Sequence, residues 1–545
     1  MKALFKTTFL AASLCLLFNP IHANASAMTA SEAVRFLNHA TYGATTDDIK
    51  LVQRIGMDAW IYQQLKKKQC KHYNPATVAD TLAERKHIRD EIWWTSAMVC
   101  DDQLRQRVAL ALSEIFVVSD NNGTLARHQE GLESYYDTLI THSLGNFRDL
   151  LKAVSLHPTM GSYLNMRGNE KADPINNIRP DENYARELMQ LFTIGLVNLN
   201  MDGTPVTTKT GATTPTYSQT DISELARVLT GWTWKGIDTK EKWDALKKRA
   251  RPDIKQDYTS PMVALAVYHD AENKTLLGKN IQRNLSPEAD LDRALDILFT
   301  HPNTAPFISK QLIQRLVKSN PSPAYVRRVA SVFHNNGSGV RGDMAAVVRA
   351  ILTDGEALSE QDKKGKLIEP MLRVTQLWRA FSATATDQYG HGYPFSLSTP
   401  DNSLGQSPLS APSVFNFFEP AYAPALLKKA QLVAPEFQLV DSSLLPRLNN
   451  RLAVLSLSGY IGSGRDPEGF SARLNYDTYL PLLAKPSELI EQLNTLLMSG
   501  RMDDSMRTVL LDFIKELQAT KTPQRQIIAE VVHMIIISPQ YAIQW

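Results

Sequence analysis

The chain has 545 residues, 43% of them hydrophobic and 21% charged, with a formal net charge of +3. The first 27 positions hold two lysines and no acid, so the chain beyond them is close to neutral. That balance excludes nucleic acid as a partner, because binding it rests on neutralising many phosphates.

The N-terminus reads as a secretory leader. Lys2 and Lys6 precede an apolar run from Phe9 to Phe18, and Ala23-Asn24-Ala25 and Ala25-Ser26-Ala27 offer cleavage sites. The run is far shorter than the ~20 residues of a transmembrane helix, and no later segment is apolar for that long. Leu14 is too large for the residue before a lipidated cysteine at Cys15. The expectation is therefore a soluble periplasmic or secreted protein. In an oxidising compartment the two remaining cysteines, Cys70 and Cys100, suggest one disulfide, with two buried thiols as the other reading.

Helical signals dominate from there. Thr29-x-x-Glu32 and Thr45-x-x-Asp48 resemble capping boxes before apolar runs of helical spacing. Gly56 ends the second helix, and Asp58 can cap the next. Asp101 and Asp102 precede a helix with an apolar stripe of Leu104, Val108, Ala111, Leu112 and Ile115. Strand-like alternation is scarce, and at most a small hairpin is expected near residues 196–219, turning at Asp202-Gly203. The stretch NLNMDG there also mimics the start of a calcium loop, but Lys209 stands where the closing Glu is required, which favours a turn. The basic run from Lys240 to Lys255 is interrupted by Glu241, Asp244 and Asp253 and reads as a solvated insertion or a docking patch.

A weak repeat organises the rest. LLKAVSLHPTMGSYL, ALDILFTHPNTAPFI and VVHMIIISPQYAIQW each join a helix to a small or polar residue, a proline and an aromatic, and VVRAILTDGEALS keeps the rhythm without proline. Proline disfavours helical geometry at the preceding His157, His301 and Ser538 and marks helix ends. The fold class expected is mainly α: an irregular array of antiparallel helix pairs over residues 28–380, with a C-terminal helical lobe, residues 381–545, packed on it. The stretch after Ala380, rich in Ser, Thr, Gly and Pro, reads as a linker.

Several groups could carry chemistry. Asn183, Arg186, Glu187 and Gln190 lie three, four and seven apart and share one helix face, opposite Tyr184, Leu188 and Leu191. Asp181 and Glu182 suit the positive end of that helix. The stripe is either a solvated or paired surface or part of a site. Glu187 and Asp221 could form a glycosidase-like carboxylate pair. His269 and Asp270, with Lys274 nearby, make the densest acid-base group, expected in a loop. His157 and His301 either line a site or bond a free carbonyl at a helix C-terminus. The catalytic candidates are thus Glu187 and His269, and the binding candidates Glu182, Asn183, Arg186, Asp221, Asp270, Lys274, His157 and His301. No compact metal-ligand spacing, phosphate loop or nucleophile elbow occurs, so no metal site is expected and the cofactor is unknown. Phe415, Phe417, Phe418 and Tyr422, like Trp93-Trp94 and Trp232-x-Trp234, are expected to anchor the core rather than to stack on sugars.

The strings DENYARELMQLFTIG (Asp181 to Gly195) and YSQTDISELARVLTGW (Tyr217 to Trp232) resemble the secreted bacterial family called domain of unknown function 1800. So do RFLNHATYG, LRQRVALALSEIFVVS, HPTMGSYLN, YHDAENKTLLGK, HPNTAPFISKQLIQRLVKSNPSPAYV, LGQSPLSAPSVFNFFEP and the closing SPQYAIQW. Where many relatives carry a Glu and a His, this chain has Gln190 and Phe192, which weakens any mechanism needing an acid or a ligand there. The resemblance implies a partner from the secreted family called domain of unknown function 1501, whose genes often lie beside those of this one. The expected role is a cell-envelope scaffold or binding protein for a surface polymer, such as a polysaccharide, or for a partner protein. The alternative is an exported hydrolase of a polysaccharide or peptide polymer, with Glu187 and His269 as acid-base groups and Arg186 and Lys274 stabilising negative charge.

Overall fold

The structure, a computed structural model, describes residues 28–247, 256–359, 365–386, 394–397, 399–457 and 471–544. Residues 1–27, expected to be a leader, the second half of the basic run and part of the stretch after Ala380 lie outside the described residues. The fold is mainly α, with four two-stranded sheets among the described residues. No described helix is long and apolar enough to cross a membrane.

Local sequence accounts for many of the helix ends. At Ala30–Ala40 the Thr29 side chain accepts the Glu32 N–H, and the Glu32 carboxylate accepts the Thr29 N–H. Each bond satisfies a donor that the first helical turn leaves free. At Thr46–Ile55 only half of that box forms, from the Asp48 N–H to Thr45. Gly56, at φ +80°, ends this helix and also takes the N-cap position of Met57–Leu65. Asp58 therefore falls in the first turn, where it holds Arg349 at 2.8 and 2.9 Å instead of capping. Asp102 sits at the N-cap of Gln103–Ser113 but makes no cap bond; its carboxylate accepts the Cys70 N–H at 3.1 Å. Cys70 and Cys100 are disulfide-bonded, with Cα atoms 6.0 Å apart, so Asp102 braces the bridge.

One device explains the repeat. In every copy a residue at the helix C-cap or one position past it turns its side-chain acceptor onto a backbone N–H just beyond. His157 Nδ1 accepts from Thr159, His301 Nδ1 from Asn303, Asp354 Oδ1 from Glu356 and Ser538 Oγ from Tyr541. The imidazoles thus serve the first amides of the next segment and do not bond the carbonyls of the helix behind them. An accepting Nδ1 must be unprotonated, and that makes these junctions pH-sensitive.

The expected hairpin near 196–219 is a ribbon of isolated pairs: Val197 with Pro215, Leu199 with Pro205 and Thr207 with Thr213. It does turn at Asp202-Gly203, where Gly203 has φ +75° and Asp202 caps Thr204. Pro205 and Pro215 have no N–H to donate, which stops the ladder from growing. The sheets arise elsewhere. Lys274–Leu276 and Lys279–Ile281 form a hairpin, and Trp232–Thr233 pairs with Val263–Ala264. Lys366–Leu367 pairs with Ile543–Gln544 near the end of the chain, and Thr384–Thr386 pairs with Ser471–Arg473. Late in the chain Leu444–Leu457 packs on Gln524–Ile536, and Pro486–Met498 packs on Ala30–Ala40. Trp93, Trp94, Trp232 and Trp234 are buried as expected, as is Phe418, but Phe415 is 44% exposed.

Candidate functional site

The acid-base candidates do not converge. On the helix Asn183–Gln190 the polar stripe splits. Arg186 stays at the surface and pairs with Glu182 at 3.3 Å, while Glu187 turns inward. Glu182 also accepts bonds from Ser223 and Gln219, and the Ser223 hydroxyl leads in holding its pKa below the usual range. The Asn183 N–H is bound by Asp181. Burial raises Glu187, whose Oε2 finds no hydrogen-bond partner among the described residues. Asp221 closes a capping box with Ser218 and accepts the Leu277 N–H at 2.8 Å. Burial pushes its pKa up, but these bonds outweigh burial and hold it low.

His269, Asp270 and Lys274 do meet, in a closed knot. His269 Nε2 lies 3.1 Å from Asp290 Oδ2, the carboxylate oxygen that Lys274 reaches at 2.6 Å. His269 Nδ1 lies 3.0 Å from the Thr230 carbonyl, and Asp270 is held by Arg227 at 2.8 Å. His269, Lys274 and Asp290 are each at most 2% exposed. These groups hold the hairpin against its neighbouring helices and present no face to a substrate. His157 and His301 are spent on the junctions described above. Burial brings His157 down to about 3, and burial with the nearby Arg341 lowers His301.

A groove of about 1070 Å³ lies elsewhere. It forms where three of the family-like strings meet: residues 181–195, 301–326 and 404–420. Asn303 fixes one wall, donating to the Ile194 and Val197 carbonyls at 2.8 and 2.7 Å and accepting the Leu199 N–H at 2.8 Å. Gly195, at φ +69°, lets that wall close on Phe307; a Cβ there would lie 2.6 Å from the ring. Asn320 fixes the opposite wall, bonding both the N–H and the carbonyl of Val433 at 2.8 Å. Gln314 joins floor to rim through the Ser319 and Pro420 carbonyls.

Beneath the floor lies a buried ionic cluster. Lys366 reaches Glu436 at 2.9 Å, Glu369 at 3.4 Å and the Gln314 and Arg315 carbonyls. Glu114 and Glu369 form a carboxyl–carboxylate pair. Burial lifts Glu114 well above its usual range; burial also pushes Glu369 up, but Lys366, the Glu114 hydrogen bond, Arg107 and Gln406 together outweigh it and keep Glu369 ionised. Ser319 connects this cluster to the groove by donating to Glu436 at 3.3 Å.

Of the stripe on Asn183–Gln190 only Gln190 lines the groove, beside Leu196, Val197, Leu199, Phe307, Lys310, Gln311, Phe415, Leu432 and Val433. Sequence reasoning missed the rest. One signal was present: Phe307, Lys310, Gln311 and Gln314 sit three, four and seven apart on Thr304–Leu316, the spacing that singled out the earlier stripe.

No curated protein and no solved structure matches the chain. The family model described as Protein of unknown function (DUF1800) matches residues 35–543, nearly the whole length, and the chain therefore belongs to that family.

Proposed function

We propose that this is an exported binding or scaffold protein of the cell envelope and that the groove holds a segment of its partner. The observation that carries this reading is the groove itself, with mostly apolar walls and convergent amides, assembled from three distant segments and braced by Asn303, Asn320 and Gln314. A concave, largely apolar surface with a few placed polar groups is the common form of a ligand site. The leader-like N-terminus and the disulfide support an extracytoplasmic setting. A secreted protein of the domain of unknown function 1501 family is the partner to test first, with a surface polysaccharide second. Hydrolysis by Glu187 and His269 gains no support, since His269 is locked in a closed network with Asp290 and the Thr230 carbonyl while Glu187 turns inward on a different helix.

Photo-crosslinking tests the proposal. A crosslinking residue is placed at Leu196 or Phe415 on the groove rim, 57% and 44% exposed, and at Tyr62 and Val509 as exposed controls. The expected result is one shared adduct from both rim positions and none from the controls. Adducts that ignore the groove would refute the proposal.

A further inference from the structure

Lys310 is the unusual group of the groove. It projects from Thr304–Leu316 one turn after Phe307 and lies largely buried in the groove wall, yet no carboxylate stands within ion-pair distance among the described residues. Burial alone lowers its pKa below the usual lysine range. Among the described residues, the acids in or beside the groove are committed or set apart. Glu356 is taken by Lys318 at 3.1 Å and by the Ser322 N–H at 2.9 Å, and Asp202 by Thr204 and Arg327. Glu419 is exposed at the rim. A partly desolvated cation without a counter-charge is costly, and an incoming anion would offset that cost.

We propose that the groove captures the carboxyl-terminal end of an apolar peptide segment, with the terminal carboxylate seated on Lys310 and the preceding residues along the aliphatic wall. This rests on the binding role proposed above and names the chemistry of the partner segment. Three observations select this occupant. Among the described residues the groove offers one unpaired cation, which suits a single charge at a chain end. An acidic polysaccharide repeats its charge and would set further carboxylates against Leu196, Val197 and Val433, where nothing neutralises them. The amides of Gln190 and Gln431 can pair with peptide groups; Gln190 Oε1 accepts the Tyr217 hydroxyl at 3.4 Å, and neither residue gives its Nε2 to a partner among the described residues.

The test uses the purified protein and two pools of fluorescein-labelled short peptides of apolar and uncharged residues. The pools are identical except that one ends in a free carboxylate and the other in an amide. Fluorescence anisotropy should show the acid pool binding about tenfold tighter to the wild type. Lys310→Met keeps the side-chain length and removes the charge, so it should erase that preference, and the two pools should bind the variant equally. Phe415→Ala should weaken both pools alike, and thermal melts of both variants check that they fold. Equal binding of the two pools by the wild type would overturn the role of Lys310, as would an acid preference that survives in Lys310→Met. Failure of both pools to bind while the rim crosslinks persist would overturn this inference alone. Loss of the crosslinks as well would remove the binding role beneath it. Lys310-dependent binding of polygalacturonate oligomers in place of the peptides would also overturn it.

Discussion

Acidification should weaken the fold at His157, and the size of the effect comes from the geometry. The ring is buried, its Nδ1 accepts the Thr159 N–H at 3.2 Å, and it packs edge-on against Tyr135. Protonation would put a proton on the atom that must accept. Burial, more than the contrary pull of Ser134 and Asp257, lowers its pKa from 6.5 to about 3 on folding. A histidine depressed in this way contributes stability that is complete above its unfolded pKa and is lost as pH falls toward the folded value. Moving from about pH 7.5 to about pH 5 should therefore remove about 2 kcal/mol at this one group. His72, lowered by burial to about 4, acts in the same sense. Glu133 and Asp137, raised by burial to about 7 and about 6, act in the opposite sense, gaining as pH falls. Only a variant isolates His157. Asparagine offers an acceptor oxygen to the same N–H and does not titrate. Urea unfolding of the wild type and His157→Asn at the two pH values is the assay. The variant should be less stable by ~1–2 kcal/mol near neutrality, from lost ring packing. Its loss on acidification should be about 2 kcal/mol smaller than that of the wild type. Equal losses in both proteins would refute the reasoning.

Lys366→Met should destabilise the protein by ~3–5 kcal/mol in urea unfolding, because it leaves Glu369 and Glu436 buried without their shared cation. Arg186→Ala should shift stability by only ~0–1 kcal/mol, since its pair with Glu182 is solvent-exposed; a larger loss would mean that the stripe is buried in solution. Reducing the Cys70–Cys100 bridge, which spans 30 positions, should cost about 3 kcal/mol, read as a lower urea midpoint with reductant than without.

What the sequence made legible was local. Thr29-x-x-Glu32 needs only three residues of context, and its capping box forms as read. The repeated junctions were visible as His-Pro and Ser-Pro, but the direction of their bonds was not. A helix-closing imidazole can face either the carbonyls behind it or the amides ahead, and the fixed turn at Pro158 favours those ahead. Glu187 shows the limit of a helical stripe: four polar residues on one face do not share one environment when the neighbouring elements cover part of that face. The density of His269, Asp270 and Lys274 marked a real cluster, yet Asp290, the acid that closes it, lies 16 residues beyond Lys274. The groove was hidden for the same reason, because Gln190, Lys310, Phe415 and Val433 come together only when the helices pack. Phe415 read as a core anchor because its neighbour Phe418 is one.

The most direct measurement of the binding role is backbone hydrogen exchange on the purified protein, alone and with the species captured by the rim crosslinks. Protection should rise along Gly195 to Leu199 and Gln431 to Val433, the two walls of the groove, and stay unchanged on Asp504–Ala519 far along the chain. Protection confined to surfaces away from those walls, or none at all, would contradict the assignment of the groove as the binding site.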